Sequence, residues 1–215
     1  MIKLVNYTKS ATNADETMED MIAYCARVSN PSNQEAPTQN DRLIDYLMRN
    51  HHWSPFEMIN ICLEINTTRD IARQILRHRS FSFQEFSQRY AEARLGFVKK
   101  EARMQDKKNR QNSIETDNSE LQQLWVIKQE QIIQETQDAY NWAIENGIAK
   151  EQARAVLPEG MTVSRMYMNG TLRSWIHYIQ LRTGNGTQKE HREVALACAE
   201  AIAPMFPKIM QFVCN

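Results

Sequence analysis

The chain has few cysteines, no long apolar run and no leader-like start, and each absence excludes a class of protein. No apolar run approaches the length needed to cross a membrane, so a membrane partner is not expected. Residues 1–7 are too short and too polar for a secretory signal and are typical of a first strand. The four cysteines have no paired spacing, which indicates free thiols in a reducing compartment, by default the cytoplasm.

Several motifs for nucleotides, metals and covalent catalysis are also missing. There is no phosphate loop with Gly-Lys-Ser or Gly-Lys-Thr, and Gly184-Asn185-Gly186 follows a predicted helix and lacks the third glycine of a dinucleotide fingerprint. The five histidines form no His-Glu-x-x-His pattern, so no metal site is expected. No cysteine lies beside a histidine or basic cluster that would lower its pKa, which argues against a thiolate nucleophile. Any bound nucleotide must then be held by side chains, especially arginines.

Length and composition predict one globular domain spanning residues 1–215. A chain of this size can bury a sizeable core, and 42% hydrophobic with 24% charged residues is ordinary for a soluble protein. The formal net charge is zero, but residues 69–110 hold twelve Lys or Arg and five Asp or Glu, a local balance of +7. This sign suits anionic ligands such as nucleotide phosphates.

Periodicity and capping residues predict an α+β fold in which helices dominate. Strands are expected at 2–7, 58–67 and about 161–168, and helices at about 16–27, 40–50, 68–78, 117–147, 150–157 and 171–183. Thr187-Gln188-Lys189-Glu190 is typical of a capping box that starts the last helix. Residues 98–118 are polar and charge-rich, and we expect a mobile surface excursion there.

The densest cluster of chemistry-bearing side chains lies at residues 77–90, RHRSFSFQEFSQRY. Arginines bind planar anions bidentately, and the interleaved aromatic rings offer stacking surfaces. The segment therefore predicts a site for a phosphate-bearing, ring-containing ligand. The alternative is a solvated basic turn, which Glu85, Phe86 and Tyr90 suit poorly.

The same segment resembles the signature of the flavin-dependent thymidylate synthases, Arg-His-Arg-x-x-Ser-x-Asn-x-x-Ser-x-Arg. Six of the seven fixed positions match, and Gln84 stands where the family usually has Asn. The matching residues are Arg77, His78, Arg79, Ser82, Ser87 and Arg89. The resemblance continues through most of the chain. It implies a single helix-rich domain with a small mixed or antiparallel sheet, assembled as a homotetramer with active sites between subunits.

The resemblance also implies an activity. Deoxyuridylate (dUMP) would be reductively methylated to thymidylate (dTMP), with methylenetetrahydrofolate as carbon donor, FAD as cofactor and NADPH as reductant. The partners would be these small molecules and further copies of the chain, without nucleic acid.

The family's substrate positions map onto this chain. Arg89 and Arg154 would grip the phosphate, and Arg154 would serve a neighbouring subunit. Arg182 would stabilise negative charge on the pyrimidine and is the expected catalytic residue. We interpret Ser87 as a hydrogen-bond donor rather than a nucleophile, because Glu85 is its nearest base. The full expected dUMP set is Gln74, Arg77, Glu85, Phe86, Ser87, Gln88, Arg89, Arg154 and Arg182.

The expected flavin contacts come from four segments: 27–29, 51–57, the motif itself and the helix at 171–183. They are Ser29, His52, Ser54, Arg77, His78, Arg79, Glu85, Thr171, Leu172, Arg173 and His177. On the helix, Arg173, His177 and Gln180 run beside an apolar stripe, and the alternative is that all three simply face water. The family often has a further histidine where this chain has residues 184–186.

A second function remains open at this point. Excess positive charge at 69–110, interleaved with aromatic rings, is also compatible with a surface for single-stranded nucleic acid. Such a protein would be colourless and would bind oligonucleotides with steep salt dependence.

Overall fold

The computed structural model describes residues 1–34 and 39–214, which form an α+β domain around one four-stranded sheet. The strands are β1 (Ile2–Tyr7), β2 (Asn60–Thr68), β3 (Ser82–Glu85), β4 (Arg103–Gln105), β5 (Ser113–Glu115) and β6 (Val163–Thr171). The main sheet has the order β1-β2-β6-β3, and each described neighbour pair is antiparallel. Strands β4 and β5 form a separate two-stranded ribbon.

Seven α-helices belong to the described residues. They are α1 (Met18–Ala26), α2 (Asn40–Arg49), α3 (Arg69–Ile75), α4 (Ser119–Glu145), α5 (Lys150–Ala153), α6 (Leu172–Thr183) and α7 (Lys189–Ile202). Side-chain caps start several of them, because the first N–H groups of a helix have no partner within it. Thr17 and Asp20 form a capping box on α1, Asn118 accepts from Leu121 N on α4, and Thr171 accepts from Ser174 N on α6.

The two long central strands determine where the site forms. Strand β2 pairs with β6 from Asn60–Thr171 to Thr68–Val163 without a register shift. Each strand continues directly into a helix, β2 into α3 and β6 into α6. Because the strands are antiparallel neighbours, these helices start from opposite ends of the sheet, and Arg182 in the last turn of α6 bonds to His78, which follows α3. The last turn of α6 therefore reaches the chain that follows α3.

The core lies where helices α6 and α7 pack on the sheet. Trp175 and Tyr178 of α6 are fully buried with Ile61, Leu63 and Ile65 of β2. The indole N–H of Trp175 donates to the Ile61 carbonyl at 3.0 Å, so this buried donor is satisfied. The expected apolar stripe of α6, Leu172, Trp175, Ile176 and Ile179, is buried throughout. The predicted core face of this helix is confirmed.

Most predicted elements are confirmed, and the errors lie at element ends and in three short strands, β3, β4 and β5. Helix α3 ends at Ile75 and not at His78, since the Arg77 and His78 N–H groups bond to carbonyls three residues back. The predicted capping box at Thr187 is wrong. The N-cap of α7 is Gln188, whose Nε2 donates to the Glu190 carboxylate at 2.9 Å. Strand β3 was not predicted, because its four residues carry no periodic pattern of their own.

The excursion at 98–118 carries the β4–β5 ribbon and is attached to two helices. Gln122 and Gln129 of α4 exchange hydrogen bonds with the backbone of Ala102 and Lys100. Arg103 binds Glu190 of α7 through two bonds, at 2.7 and 2.9 Å. The mobility of residues 98–118 stays a prediction. No described helix combines the length and apolar character that a membrane span requires.

Candidate active site

Phe81 anchors the 77–90 segment against the core. Its ring is 8% exposed and packs edge-on against Trp175, with centroids 4.8 Å apart. It also covers Gly170 of β6, where a methyl group would meet the ring. The chain then enters β3, which pairs with β6 from Ser82–Asn169 to Glu85–Met166. The predicted ligand segment is therefore a tight turn followed by an edge strand.

The turn before Phe81 brings His78 to the end of α6. Arg182 Nε donates to His78 Nε2 at 2.9 Å, across 104 positions of sequence. Burial, followed by the charges of Arg182 and His177, lowers the pKa of His78 from 6.5 to about 4. His78 is thus a neutral acceptor near pH 7. Arg182 has no described ion-pair partner, so its charge is not cancelled by a carboxylate.

Gln74 lies beside this pair and is held at both ends of its carboxamide. Its Oε1 is 3.2 Å from His191 Nδ1, and its Nε2 donates to Gln188 Oε1 at 2.8 Å. The second ring nitrogen of His191 is 3.1 Å from the Tyr178 hydroxyl. The His191 ring lies 6.4 Å from the His78 ring, so Gln74, His78 and Arg182, three of the predicted residues, lie in one cluster.

Beyond Phe81 the segment is held by strand β6 and its neighbours. Ser164 Oγ donates to Glu85 Oε1 at 2.7 Å, and Arg69 lies 3.6 Å from the same oxygen. The Phe86 N–H donates to the Arg165 carbonyl at 2.8 Å, and Gln88 is 4% exposed. The Ser87 carbonyl closes a turn by accepting from the Tyr90 and Ala91 N–H groups. Glu85 is therefore tied to the sheet through its carboxylate.

Three predicted arginines of the segment point to its outer side. Arg77, Arg79 and Arg89 are exposed, and among the described residues the Arg89 side chain has one hydrogen-bond partner, the neighbouring Tyr90 hydroxyl at 3.1 Å. Within the described chain, the side chains of Arg77 and Arg79 have no hydrogen-bond or ion-pair partner. Arg154 lies at the start of a 3-10 turn and donates to the Glu151 carbonyl at 3.3 Å. These side chains leave positive charge available on the surface of the chain.

A cleft of about 520 Å³, here called the α6 cleft, runs beside helix α6. Arg173 and His177 line it from the helix, and Trp53 lines it from the start of the 3-10 turn at Ser54–Met58. Arg173 is paired with Glu57, and Ser80 brings the 77–90 segment to the same cleft. Arg173 and His177, predicted flavin contacts, thus share one cavity with the motif. Leu172 is fully buried, and Thr171 serves as the N-cap.

Known proteins resemble this chain over nearly its whole length. A model of the family described as thymidylate synthase complementing protein matches residues 3–208. A probable flavin-dependent thymidylate synthase of Paramecium bursaria Chlorella virus 1 is 49% identical over 207 residues, 96% of this chain and 95% of that protein. The chain belongs to the flavin-dependent thymidylate synthase family.

One further relative and one solved structure agree with this family assignment. A flavin-dependent thymidylate synthase of Synechocystis sp. is 50% identical over 191 residues, 89% of this chain and 87% of that protein. The crystal structure of a UMP/dUMP methylase, PolB from Streptomyces cacaoi, bound with 5-Br UMP, matches with a TM-score of 0.83 at 27% identity. That match covers 99% of this chain and 92% of the other. The predicted family and the helix-rich α+β fold are confirmed.

The remaining flavin positions expected in this family lie outside the α6 cleft. His51 lines the cleft, whereas the His52 ring packs edge-on against Tyr46 at 5.8 Å. Ser54 begins a 3-10 turn, and Ser29 ends another, both with exposed side chains. Any role of His52, Ser54 and Ser29 stays a prediction for this synthase family member.

The sequence did not indicate the residues that hold Gln74. Tyr178 bonds to His191 and lies one helical turn before Arg182, on the same face of α6. This shared face could be read from the sequence once Arg182 was identified. No local pattern linked His191 or Gln188 to Gln74, because they contact it across 117 and 114 positions of sequence.

The four cysteines do not enter this cluster. Cys62 and Cys198 are buried, and burial raises the pKa of both thiols. Cys214 is exposed and donates to the Gln180 carbonyl at 3.3 Å.

Proposed function

We propose that this chain converts dUMP to dTMP by reductive methylation, using methylenetetrahydrofolate as carbon donor, FAD as cofactor and NADPH as reductant. The predicted activity and cofactor are confirmed at the level of the family, by relatives at 49% and 50% identity. The observation that carries the assignment of roles is the contact between Arg182 and His78, which joins the motif to helix α6.

Arg182 is suited to activate the pyrimidine. A guanidinium has five N–H donors, and His78 engages the one on Nε. The two terminal amino groups remain for the substrate. Because a neutral imidazole holds this side chain instead of a carboxylate, its full charge can stabilise negative charge that develops on the ring.

The α6 cleft fits the chemistry of FAD. Arg173 and His177 can hold diphosphate oxygens, Ser80 and Ser174 offer hydroxyl donors, and Trp53 offers a flat apolar surface. Bound FAD supplies the reducing equivalents that complete the methyl group. Ser80 links this cleft to the motif, so cofactor and substrate would be held next to each other.

We propose that arginines of two subunits bind the phosphate of dUMP. Among residues 1–34 and 39–214, Arg89 and Arg154 have no contact with each other, and the exposed side chains of Arg77 and Arg79 have no hydrogen-bond or ion-pair partner. We assign Arg89 to the phosphate of its own subunit and Arg154 to that of a neighbour. Glu85, Phe86, Ser87 and Gln88 would shape the pocket between them.

The proposed arrangement needs a homotetramer, and the exposed apolar side chains of helix α4 support that proposal. The helix is 27 residues long and leaves large apolar side chains uncovered, Trp142 at 60% and Leu124 at 51% exposure. Further exposed members of this helix are Trp125, Ile127 and Ile132. A second copy would remove these side chains from water. The cytoplasmic location stays a prediction, with which the four free cysteines agree.

A purification and a rate measurement test the function. The protein should carry the visible absorption of a flavin, oxidise NADPH faster when dUMP is added, and form dTMP when methylenetetrahydrofolate is also present. A colourless protein that regains no flavin from added FAD, and that binds oligonucleotides with steep salt dependence, would favour the nucleic-acid alternative.

A further inference from the structure

His191 is a fully buried titratable residue that the proposed mechanism does not use. It lies in the first turn of α7 and is 0% exposed. Both ring nitrogens are engaged, Nδ1 by Gln74 Oε1 at 3.2 Å and Nε2 by the Tyr178 hydroxyl at 3.1 Å. Burial, with Arg182 and His78 as further causes, lowers the pKa of His191 to about 3, so the ring is neutral near pH 7. A neutral imidazole donates from one nitrogen and accepts at the other.

Hydrogen bonds link His191 to Gln74, Gln74 to Gln188 and Gln188 to Glu190. The Glu190 carboxylate at the end of this series sets which group donates in each bond. Arg103 holds the Glu190 carboxylate with bonds of 2.7 and 2.9 Å. Burial would raise the pKa of Glu190, but the bonds from Arg103 and Gln188 lower it overall, so the group is an ionised acceptor. Gln188 must therefore turn its amino group to Glu190 and its oxygen to Gln74.

The orientation of Gln188 in turn fixes that of Gln74 and of His191 in the core. Since Gln188 offers an oxygen, Gln74 must offer its amino group, and the Gln74 oxygen faces His191. His191 must then carry its proton on Nδ1 and accept at Nε2 from the Tyr178 hydroxyl. Burial holds the pKa of Tyr178 well above its usual value, which keeps that hydroxyl a donor.

We propose that His191 is a positioning residue of the dUMP site, which uses its Nδ1–H to fix the carboxamide of Gln74. Gln188 accepts a hydrogen bond from one N–H of the Gln74 carboxamide. The second N–H then points in one fixed direction, in which it can donate to the substrate. The inference rests on the proposed function, because it needs Gln74 to contact dUMP. It adds three residues to the site, His191, Gln188 and Tyr178, that do not themselves touch the substrate.

Two amide variants separate this role from a merely structural one. In His191→Asn, the side-chain nitrogen takes the place of Nδ1 and keeps a donor for Gln74. In His191→Gln, the amide reaches toward Tyr178, and Gln74 loses its donor. Both variants lose the ring and its packing in the core, so a structural role alone would affect both. Holoenzyme of each is compared with wild type for flavin absorption, thermal unfolding, kcat, and the KM and Kd for dUMP.

The expected result is a split between the two variants. His191→Gln should raise the KM and Kd for dUMP by about tenfold, the effect of one lost hydrogen bond, with a much smaller change in kcat. His191→Asn should stay within about threefold of wild type. Selective nitrogen-15 labelling of histidine should show the Nδ1–H tautomer of His191 in the wild-type holoenzyme.

Each contrary result has a distinct meaning. If wild type binds dUMP and both variants bind it equally well, or equally poorly, His191 does not position Gln74. An Nε2–H tautomer in wild type overturns the inference too. If wild-type holoenzyme binds no dUMP, the proposed function falls, and this inference falls with it.

Discussion

Gly170→Ala tests how strongly the sheet holds the ligand segment in place. A Cβ at residue 170 would lie 2.4 Å from Phe81 Cδ1, 2.7 Å from Cε1 and 3.2 Å from Cγ. These separations are far below van der Waals contact, so the ring must move. It cannot move freely, because it packs on Trp175 at 4.8 Å and is 8% exposed.

The size of the effect follows from overpacking. Inserting a methyl group into a packed core costs about 1–3 kcal/mol. For a domain of this length, that is a fall of about 3–9 °C in Tm. Phe81 stands between Ser80 and Ser82, so its displacement also moves the motif. The KM for dUMP should therefore rise along with the loss of stability.

Thermal unfolding of holoenzyme at fixed protein concentration, with initial rates, measures both effects. Gly160→Ala is the matched control, since a Cβ there meets nothing within 4 Å, and it should change stability by less than about 0.5 kcal/mol. Phe81→Leu removes the ring, so Gly170→Ala should cost less in that background than in wild type. Additive costs in the double variant would refute the reasoning.

Three further predictions concern charge and assembly. Arg182→Ala should lower kcat by at least about 100-fold while the flavin absorption is retained, and unchanged turnover would exclude the assigned role. The pKa of His191 is about 3 in the folded protein and 6.5 in the unfolded chain. Below pH 6.5 the unfolded chain takes up a proton at His191 and the folded protein does not. The free energy of unfolding is therefore highest above pH 6.5 and falls by about 1.4 kcal/mol per pH unit below it. Urea unfolding at pH 7 and pH 5 should show wild type losing about 2 kcal/mol more than His191→Asn, and equal losses would contradict a neutral buried ring. Trp142→Arg should reduce the mass in light scattering below that of the proposed tetramer, about four times 25.1 kDa, and a mass equal to that of wild type would exclude this face of α4 from the proposed interface.

The sequence by itself determined the local features of this protein. The spacing of Arg77, His78, Arg79, Ser82, Ser87 and Arg89 identified the family, and the apolar stripe of α6 identified its buried face. The left-handed turn after α4 was also predictable, since Gly147 has φ 75°. Such features depend on residues within a few positions of one another, where periodicity and capping chemistry apply directly.

Tertiary structure alone decided which side chains meet. His78 contacts Arg182 across 104 positions, and Gln74 contacts His191 across 117. Periodicity shows that a helix face is buried but not which element covers it, so neither contact was predictable. Strand β3 exists because β6 offers an unpaired edge beside it. The polarity of the Gln74 bonds was equally beyond the sequence, because the Arg103–Glu190 pair sets it from the other end of a chain of hydrogen bonds.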